Sequence, residues 1–301
     1  MLLVVAPNLA IDRVLQVQNF QATKVQRSRS VLTQPGGKGS NVARVFRQLG
    51  GDVVLLGFVG KASADLIRQP LQRFGIHVDV VAAYSGENRV ATILCDTQSR
   101  SHPTVINEES PQIEPDACDR LLAKVRRWTS KADAVLTTGS ISTGLPDDLY
   151  ARVLDYARMK GKLTAIDAVG EVLRIGLLAR PTFTKPNHEE FFHLINGSST
   201  SGFVTLAAHT ALTLGKAGAV LVHQGRCVFA QPPQLFDANP IGSGDAFVAA
   251  YLRYLLNRRP ADECLRYAMA AAASDAATLR PGFVDVSQVE SLAPRVELRF
   301  L

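Results

Sequence analysis

The chain contains 301 residues, of which 47% are hydrophobic and 20% are charged, a composition that supports a buried core and excludes an intrinsically disordered protein. Lysine and arginine number 33 against 27 acidic residues, but no basic run interleaved with aromatic residues indicates nucleic-acid binding. The four cysteines and six histidines are scattered rather than clustered as in a zinc site, which is typical of a cytoplasmic protein with reduced thiols. No apolar run is long enough to span a membrane, and the short apolar N-terminus predicts a strand rather than a signal peptide.

Apolar runs typical of buried strands alternate along the chain with segments of helical periodicity. This alternation predicts an α/β fold in which helices flank a mostly parallel central sheet. The predicted strands are 2–6, 53–59, 134–138, 163–167 and 181–185. The predicted helices are 39–49, 64–74, 115–128, 146–160, 243–256 and 262–278, the last of them rich in alanine. The small polar segment 196–202 is expected to be a surface loop, and the whole chain 1–301 is expected to form one domain.

Two segments, 12–34 and 88–108, interrupt this pattern because apolar and polar residues alternate in them. A period of two predicts antiparallel strands with one solvated face. We expect the two segments to meet as a small antiparallel sheet that forms a lid over the mouth of the large domain. The alternative is a pair of unrelated hairpins.

The strongest chemical motif is the segment 239–247, with the sequence NPIGSGDAF. An extended run at 234–238 precedes it and a helix follows, so the backbone N–H groups of Gly242, Ser243 and Gly244 are expected to be free at a helix start. Such a turn binds anions through its N–H groups and the helix dipole. Asp245 at its mouth is suited to accept a proton from an alcohol that attacks phosphorus. The alternative is a helix-capping aspartate after a tight turn.

A second glycine-rich turn occupies 35–44, with the sequence PGGKGSNVAR, and also enters a helix. It is neither a Walker loop nor a dinucleotide-binding fingerprint, because the lysine comes too early and the glycine spacing differs. Its glycines favour close approach of the backbone to a ligand, and Asn41 offers both a donor and an acceptor there.

Together the two turns resemble the signatures of the ribokinase-like sugar kinases, also called the PfkB family. The first turn is similar to the family's early signature G-G-[KG]-G-x-N-[VT]-A, and the second to its late signature ending in G-[AS]-G-D. Both occur in the order and at the distance typical of the family, and the resemblance runs through nearly the whole chain. Four further strings resemble the branch that acts on phosphorylated hexoses. They are NLAID at 8–12, TVINE at 104–108, GSISTGLP at 139–146 and TKPNHEE at 184–190.

The resemblance implies an ATP-dependent and magnesium-dependent kinase of a small sugar that already carries a phosphate, such as fructose 1-phosphate or tagatose 6-phosphate. Asp245 would be the general base, and Gly242, Ser243 and Gly244 would form the anion hole. The residues implied to contact the sugar are Asp12, Gly37, Lys38, Gly39 and Asn41, and those implied to bind its phosphate are Arg89, Ser140 and Arg27. Relatives also pair through the lid, so a homodimer is expected, with neither nucleic acid nor a membrane as partner.

On the nucleotide side, the resemblance makes Lys185 and Asn187 candidate contacts of the nucleotide, and implies that Asn187 and Glu190 organise magnesium and the nucleotide phosphates through water. Family members place the nucleotide against a strand that ends in [ST]-L-G-x-x-G, a string matched by 213–218, which makes Thr213, Gly215 and Gly218 candidate nucleotide contacts. The segment 203–214 is equally readable as a helix, in which case the nucleotide strand is 219–222. The region 196–225 is short for the family under either interpretation.

Two other functions are compatible with parts of the pattern. The acceptor could be an unphosphorylated sugar or a nucleoside, or the chain could be a non-catalytic sugar or nucleotide sensor on the same fold. A Rossmann dehydrogenase is excluded, because no G-x-G-x-x-G follows the first strand.

Overall fold

The structure is a computed structural model that describes residues 1–96, 98–195, 207–233 and 238–301. The predicted loop 196–202 and residues 234–237 of the predicted extended run lie outside the described residues. The strands are β1 Leu2–Asn8, β2 Ala10–Val17, β3 Ser30–Gly36, β4 Val53–Gly60, β5 His77–Val78, β6 Val81–Tyr84, β7 Val90–Asp96, β8 Ser99–Asn107, β9 Ala134–Thr138, β10 Leu163–Asp167, β11 Phe183–Thr184, β12 His209–Thr213, β13 Ala219–His223, β14 Arg226–Gln231 and β15 Glu297–Phe300. The helices are α1 Lys38–Gln48, α2 Ala64–Arg73, α3 Ala117–Thr129, α4 Leu149–Met159, α5 Gly170–Leu177, α6 His188–Ile195, α7 Ser243–Leu256, α8 Ala261–Ala276 and α9 Val286–Leu292. Within the described ranges, no helix is long and apolar enough to cross a membrane.

The central sheet has the order β15-β14-β13-β12-β11-β10-β9-β1-β4-β5, with β6 also paired to β4. The strands from β12 through β11, β10, β9 and β1 to β4 run parallel, whereas β13, β14 and β15 continue the sheet antiparallel. Strand β1 shows why the sheet is covered on both faces. Leu2 and Val4 pack into one apolar layer, Leu3 and Val5 pack into the other, and all four are fully buried. A parallel sheet buried on both faces requires such continuous apolar strands, so the α/β prediction is confirmed.

The predicted elements agree closely with the observed ones. Strands 134–138 and 163–167 and helix 243–256 have the predicted bounds, while most other ends differ by one to three residues. The strand predicted at 181–185 is shorter, with only Phe183 and Thr184 in the ladder. Lys185 therefore lies just beyond the strand end, where its side chain is free to turn toward the sheet edge.

The segments 12–34 and 88–108 do meet in a separate four-stranded sheet, which we call the small sheet, with the order β3-β2-β7-β8. Its two hairpins are antiparallel as expected, but they join through the parallel pair of β2 and β7. The inner face carries Val14, Ile93 and Cys95, which pack with Ile241 and Leu279 of the main body. Ile241 directly precedes Gly242, so the small sheet rests on the residue that leads into the glycine turn.

The ambiguous segment before Gly215 is resolved in favour of a strand. Strand β12 ends at Thr213, a short 3-10 turn covers Gly215–Ala217, and the hairpin of β13 and β14 follows. The helical interpretation of 203–214 is therefore wrong for residues 209–213.

Candidate active site

One edge of the central sheet collects polar residues from five neighbouring strands. Asn8 ends β1, Asp167 ends β10 and Thr213 ends β12, while Ser140 and Lys185 follow β9 and β11 within two residues. Because these strands are parallel neighbours, their carboxyl ends share one edge. Ligands of open α/β sheets bind at this edge. The row runs in the order Thr213, Lys185, Asp167, Ser140 and Asn8, so candidate nucleotide residues stand at one end and candidate sugar residues at the other.

The late glycine turn starts α7 beside this edge. Gly242 precedes the first helical residue with a φ of 93°, and no side chain caps the N–H groups of the first turn. A Cβ on Gly242 would lie 2.7 Å from the backbone nitrogen of Gly282, so only glycine fits there. The Ser243 N–H, which was expected to be free, donates to the carbonyl oxygen of Pro240 at 3.3 Å. N–H groups without such a partner at a helix start bind anions, and we call 242–244 the anion-binding turn for this candidate role.

Asp245 lies in the first turn of α7 and is 7% exposed. Its Oδ2 accepts a hydrogen bond of 2.8 Å from Asn41 Nδ2. Burial raises the pKa of Asp245 to about 6, although Lys38 opposes the shift. The carboxylate is therefore ionised at neutral pH and binds a proton more readily than an ordinary aspartate does.

Two lysines flank a buried aspartate next to Asp245. Lys38 Nζ lies 3.1 Å from Asp167 Oδ2, and Lys185 Nζ lies 3.6 Å from Asp167 Oδ1. Burial by itself would raise the pKa of Asp167, but the two ammonium groups outweigh burial and hold its pKa below the usual range. Lys185 Nζ is also 3.4 Å from the position that a Cβ would take on Gly244. Positive charge is thus held against the anion-binding turn.

Asp12 on β2, the candidate contact for sugar hydroxyls, lies against the early glycine turn. A Cβ on Gly36 would overlap the Asp12 carboxylate, so the absence of a side chain at position 36 makes room for Asp12. Burial raises the pKa of Asp12 to about 6, while Arg44, Arg89 and a hydrogen bond from the Gly37 backbone lower it.

Arg89, Ser140 and Asn8 form a hydrogen-bonded cluster next to Asp12. Arg89 Nε donates to Asn8 Oδ1 at 2.9 Å, and Asn8 Nδ2 donates to Ser140 Oγ at 2.8 Å. The same Nδ2 donates to Ser110 Oγ at 2.6 Å. The structure thus places together a guanidinium and two hydroxyls, which are donors that suit a phosphate group.

The remaining sugar-side candidates are placed differently from one another. Lys38 pairs with Asp167 on the phosphoryl side rather than with Asp12. Gly39 is buried where a Cβ would lie 2.2 Å from Ala6 Cβ, so its absent side chain lets α1 pack closely on β1. Arg27 is exposed in the connection between β2 and β3, and the described hydrogen bonds and ion pairs do not join it to the site.

Asn187 and Glu190 cap the start of α6 reciprocally. Asn187 Oδ1 accepts from the Glu190 backbone at 2.8 Å, and Glu190 Oε2 accepts from the Asn187 backbone at 2.8 Å, the arrangement of a capping box. Burial lowers the pKa of Lys38, but the carboxylates of Asp167, Asp245 and Glu190 outweigh burial and raise it. Glu190 is therefore electrostatically coupled to Lys38 while it serves as a cap.

These residues fit a magnesium ion that is bound mainly by phosphates and water. Across the described ranges, no group of three or more histidine, cysteine or acidic residues could hold a metal by itself. Magnesium commonly keeps several waters and uses one or two carboxylates with substrate phosphates. Glu190 offers one oxygen that the cap does not use.

The candidate nucleotide residues lie at the far end of the row. Thr213 donates its backbone N–H to Pro186 at 3.0 Å, and it forms an isolated parallel bridge with Asn187. A Cβ on Gly218 would lie 2.3 Å from the carbonyl oxygen of Ala230, whereas Gly215 faces open space with a φ of 58°. Gly218 thus permits a close packing of the hairpin, and the surface at Gly215 is free for a ligand.

A carboxyl group that the motifs did not reveal lies behind the anion-binding turn. Asp275, near the end of α8, is 1% exposed. It accepts hydrogen bonds from the Phe283 backbone at 2.9 Å and from Ser243 Oγ at 3.3 Å. Burial raises the pKa of Asp275 to about 8, and the nearby Asp245 adds to the shift.

Asp167, Asp275 and Ser110 were missed by reasoning from sequence. Asp167 carried a usable signal, because it is the last residue of a predicted parallel strand and such ends point toward the ligand edge. Asp275 carried none, since an aspartate in an alanine-rich helix is ordinarily exposed. Ser110 follows the TVINE string by two residues, but only the fold brings it to Asn8.

Known proteins resemble this chain in sequence and in fold. A family model described as pfkB family carbohydrate kinase matches residues 2–280. A tagatose-6-phosphate kinase of Staphylococcus epidermidis is 27% identical over 99% of both chains. Phosphofructokinase-2 from Escherichia coli, solved in complex with substrates and products, has the same fold, with a TM-score of 0.89, 20% identity and 98% of both chains covered. A possible 1-phosphofructokinase from Thermotoga maritima also has this fold, with a TM-score of 0.89, 18% identity and full coverage of both chains.

Asp275 should make the protein less stable as the pH rises. Its pKa is raised from 3.8 to about 8 by folding, so its contribution to stability is complete below pH 3.8 and is lost as the pH approaches 8. Between pH 5 and 8, the unfolding free energy of the wild type should fall as the pH rises. The fall should be steeper than in Asp275→Asn, by up to about 1.4 kcal/mol per pH unit. Urea unfolding at several pH values measures this, with the exposed Asp147→Asn as control. If the unfolding free energy changed with pH in the same way in the wild type and in Asp275→Asn, the expectation would be contradicted.

Proposed function

Because the chain belongs to the pfkB family of carbohydrate kinases, we propose that it transfers the γ-phosphoryl group of ATP to a hydroxyl of a hexose phosphate. The acceptor is of the fructose 1-phosphate or tagatose 6-phosphate type. The observation that carries this choice is the cluster of Arg89, Asn8 and Ser140 beside Asp12. An unphosphorylated sugar would leave this cationic cluster without a partner. The name of the tagatose-6-phosphate kinase relative supports the same substrate class.

Asp245 acts as the general base in this proposal. A sugar hydroxyl oxygen attacks the γ-phosphorus and gives its proton to the Asp245 carboxylate, while the bond between the γ-phosphorus and the bridging oxygen breaks and ADP leaves. A base whose pKa is raised to about 6 is ionised at neutral pH yet basic enough to take that proton. The hydrogen bond from Asn41 holds the Asp245 carboxylate in a fixed orientation for this proton transfer.

The transferring group is stabilised by donors that are in place before the reaction. The backbone N–H groups of Gly242, Ser243 and Gly244 stabilise the charge of the transferring phosphoryl group, and Lys185 and Lys38 supply positive charge beside them. Asp167 fixes both ammonium groups. Glu190 and Asn187 would hold magnesium through water, and the ion would supply charge neutralisation on the phosphates of ATP. Thr213, Gly215 and Gly218 contact the nucleotide.

The acceptor's own phosphate binds to Arg89, Ser140 and Ser110. Asn8 holds these groups in a fixed arrangement, because its amide oxygen accepts from Arg89 and its nitrogen donates to both hydroxyls. Arg27 reaches the same phosphate only if the connection between β2 and β3 moves inward. Asp12, Gly37 and Asn41 bind the sugar hydroxyls.

The small sheet serves as a lid that excludes water, which otherwise competes as the acceptor. Its edge strands expose Val31, Val105 and Ile106, which are 47%, 42% and 59% exposed. Apolar side chains on edge strands favour pairing with another chain, so the enzyme forms a homodimer through this sheet.

Sedimentation should give a dimer for wild type and a monomer for the triple variant Val31→Glu, Val105→Glu, Ile106→Glu, and a monomeric wild type would refute the interface.

The proposal is tested by ADP release with magnesium and ATP across fructose 1-phosphate, fructose 6-phosphate, tagatose 6-phosphate, fructose and ribose. We expect turnover on a sugar phosphate, and this turnover should fall as the pH drops through about 6, where Asp245 becomes protonated.

Asp245→Asn should fold and lose roughly 10²-fold to 10⁴-fold in kcat. Near-normal turnover of this variant would remove Asp245 from the mechanism. A folded protein that is silent on all five sugars would favour a sensor.

Arg89→Ala should raise KM for the sugar phosphate at least tenfold while kcat changes much less, because the lost contact binds the substrate and its transition state alike. The matched control is Arg13→Ala, since Arg13 follows Asp12 on β2 but is exposed. Steady-state kinetics with varied sugar phosphate measure both constants. An unchanged KM would place the second phosphate elsewhere, or show that the acceptor lacks one.

A further inference from the structure

Arg44 is a buried cation that the proposed chemistry does not use. It lies on α1 and is 3% exposed. Its guanidinium donates to the carbonyl oxygens of Pro35 at 2.6 Å and Pro281 at 3.0 Å, and to Asn41 Oδ1 at 2.5 Å. These partners come from the early glycine turn, from the turn that packs on Gly242 and from α1 itself. A residue with so many fixed partners has little freedom to move.

The contact between Arg44 and Asn41 decides which way the Asn41 amide points. A guanidinium has donors and no acceptor, so the atom of Asn41 that faces it at 2.5 Å must be the oxygen. The other amide atom then faces Asp245 Oδ2 at 2.8 Å and must be the nitrogen. With the amide reversed, N–H groups would oppose Arg44 and a carbonyl would oppose the carboxylate, which costs two buried contacts.

We propose that Arg44 is a positioning residue that fixes the Asn41 amide with its N–H toward the Asp245 carboxylate. The proposal rests on the proposed function, in which Asp245 is the base. Through Asn41, Arg44 sets the direction of the base carboxylate and favours its ionised form. The guanidinium also holds the Asn41 oxygen, so the proposed contact of Asn41 with a sugar hydroxyl is made by its nitrogen, which carries a second N–H.

The planar fork of arginine is required for this arrangement. Lysine retains the charge and has three donors, but they radiate from one nitrogen and lack the spread of the guanidinium fork, so lysine cannot reach Pro35, Pro281 and Asn41 in the same arrangement. Burial lowers the pKa of Arg44 to about 10, while Asp12 opposes the shift, and the side chain stays charged at neutral pH. The titratable groups that act on Asp245 are Lys38, Asp167, Lys185 and Asp275, and those that act on Arg44 are Asp12, Arg280, Asp275 and Asp245.

The test follows the side-chain amide signals of Asn41 by nuclear magnetic resonance in ¹⁵N-labelled protein, identified by their loss in Asn41→Ala. In wild type these signals should move with a midpoint near the pKa of Asp245, about 6, and the movement should vanish in Asp245→Asn. In Arg44→Lys the midpoint should rise by roughly one pH unit, because the carboxylate loses a donor. The control is Arg47→Lys, one turn later on α1, where Arg47 pairs with Asp52 at the surface.

An unchanged midpoint in folded Arg44→Lys would overturn the proposal. The readout does not need turnover, so a protein that is inactive on every sugar but shows the expected shift would refute the proposed function and support the role of Arg44. If the enzyme turns over, the acidic limb of the pH profile of kcat/KM should rise in Arg44→Lys by the same roughly one pH unit. A purely structural role of Arg44 would lower kcat and leave this limb at its wild-type pH. If Arg44→Lys does not fold, neutron diffraction of wild type decides, since deuterons on the Asn41 atom that faces Arg44 would refute the proposal.

Discussion

The site depends on contact between backbones that are far apart in the chain. Gly242 lies so close to the backbone of Gly282 that no side chain fits, and a Cβ on Gly282 would lie 2.7 Å from Asn41 Cα. The start of α7, the turn after α8 and the first turn of α1 therefore stack on one another with nothing between them. This stacking brings the anion-binding turn, the Asn41 amide and Asp245 into one place, and the hydrogen bonds of Arg44 connect the same segments.

The charged groups around this stack form ion pairs with one another. Lys38 and Lys185 offset Asp167, which leaves Asp245 with a raised pKa rather than a salt bridge of its own. A base that was paired directly with a lysine would be a poor proton acceptor, because the ion pair would hold its pKa low. By taking both lysines, Asp167 keeps positive charge near the anion-binding turn and leaves Asp245 free to react.

The parts of the structure that could be predicted from sequence are those set by local patterns. Strands β9 and β10 and helix α7 have their predicted bounds because apolar period and flanking glycines define them. The pairing direction of β2 and β7 was not predictable, since alternation reveals which face is buried but not whether neighbours run parallel. The burial of Asp275 could not be predicted for a related reason. It is produced by the turn at 281–283, which folds back on α8, and such a contact has no local pattern in the sequence.

The connection between the two sheets has a mechanical consequence. Asp12 lies on β2 and Arg89 directly precedes β7, two strands paired side by side at the centre of the small sheet, whereas Asp245 and Lys185 belong to the main body. Two of the groups assigned to the acceptor, Asp12 and Arg89, thus belong to the small sheet, whereas Asn8 and Ser140 of the same cluster belong to the main body. In the proposed reaction, the position of the acceptor relative to Asp245 therefore depends on how the small sheet packs on Ile241 and Leu279, and a change in that packing would alter the distance between the reacting atoms.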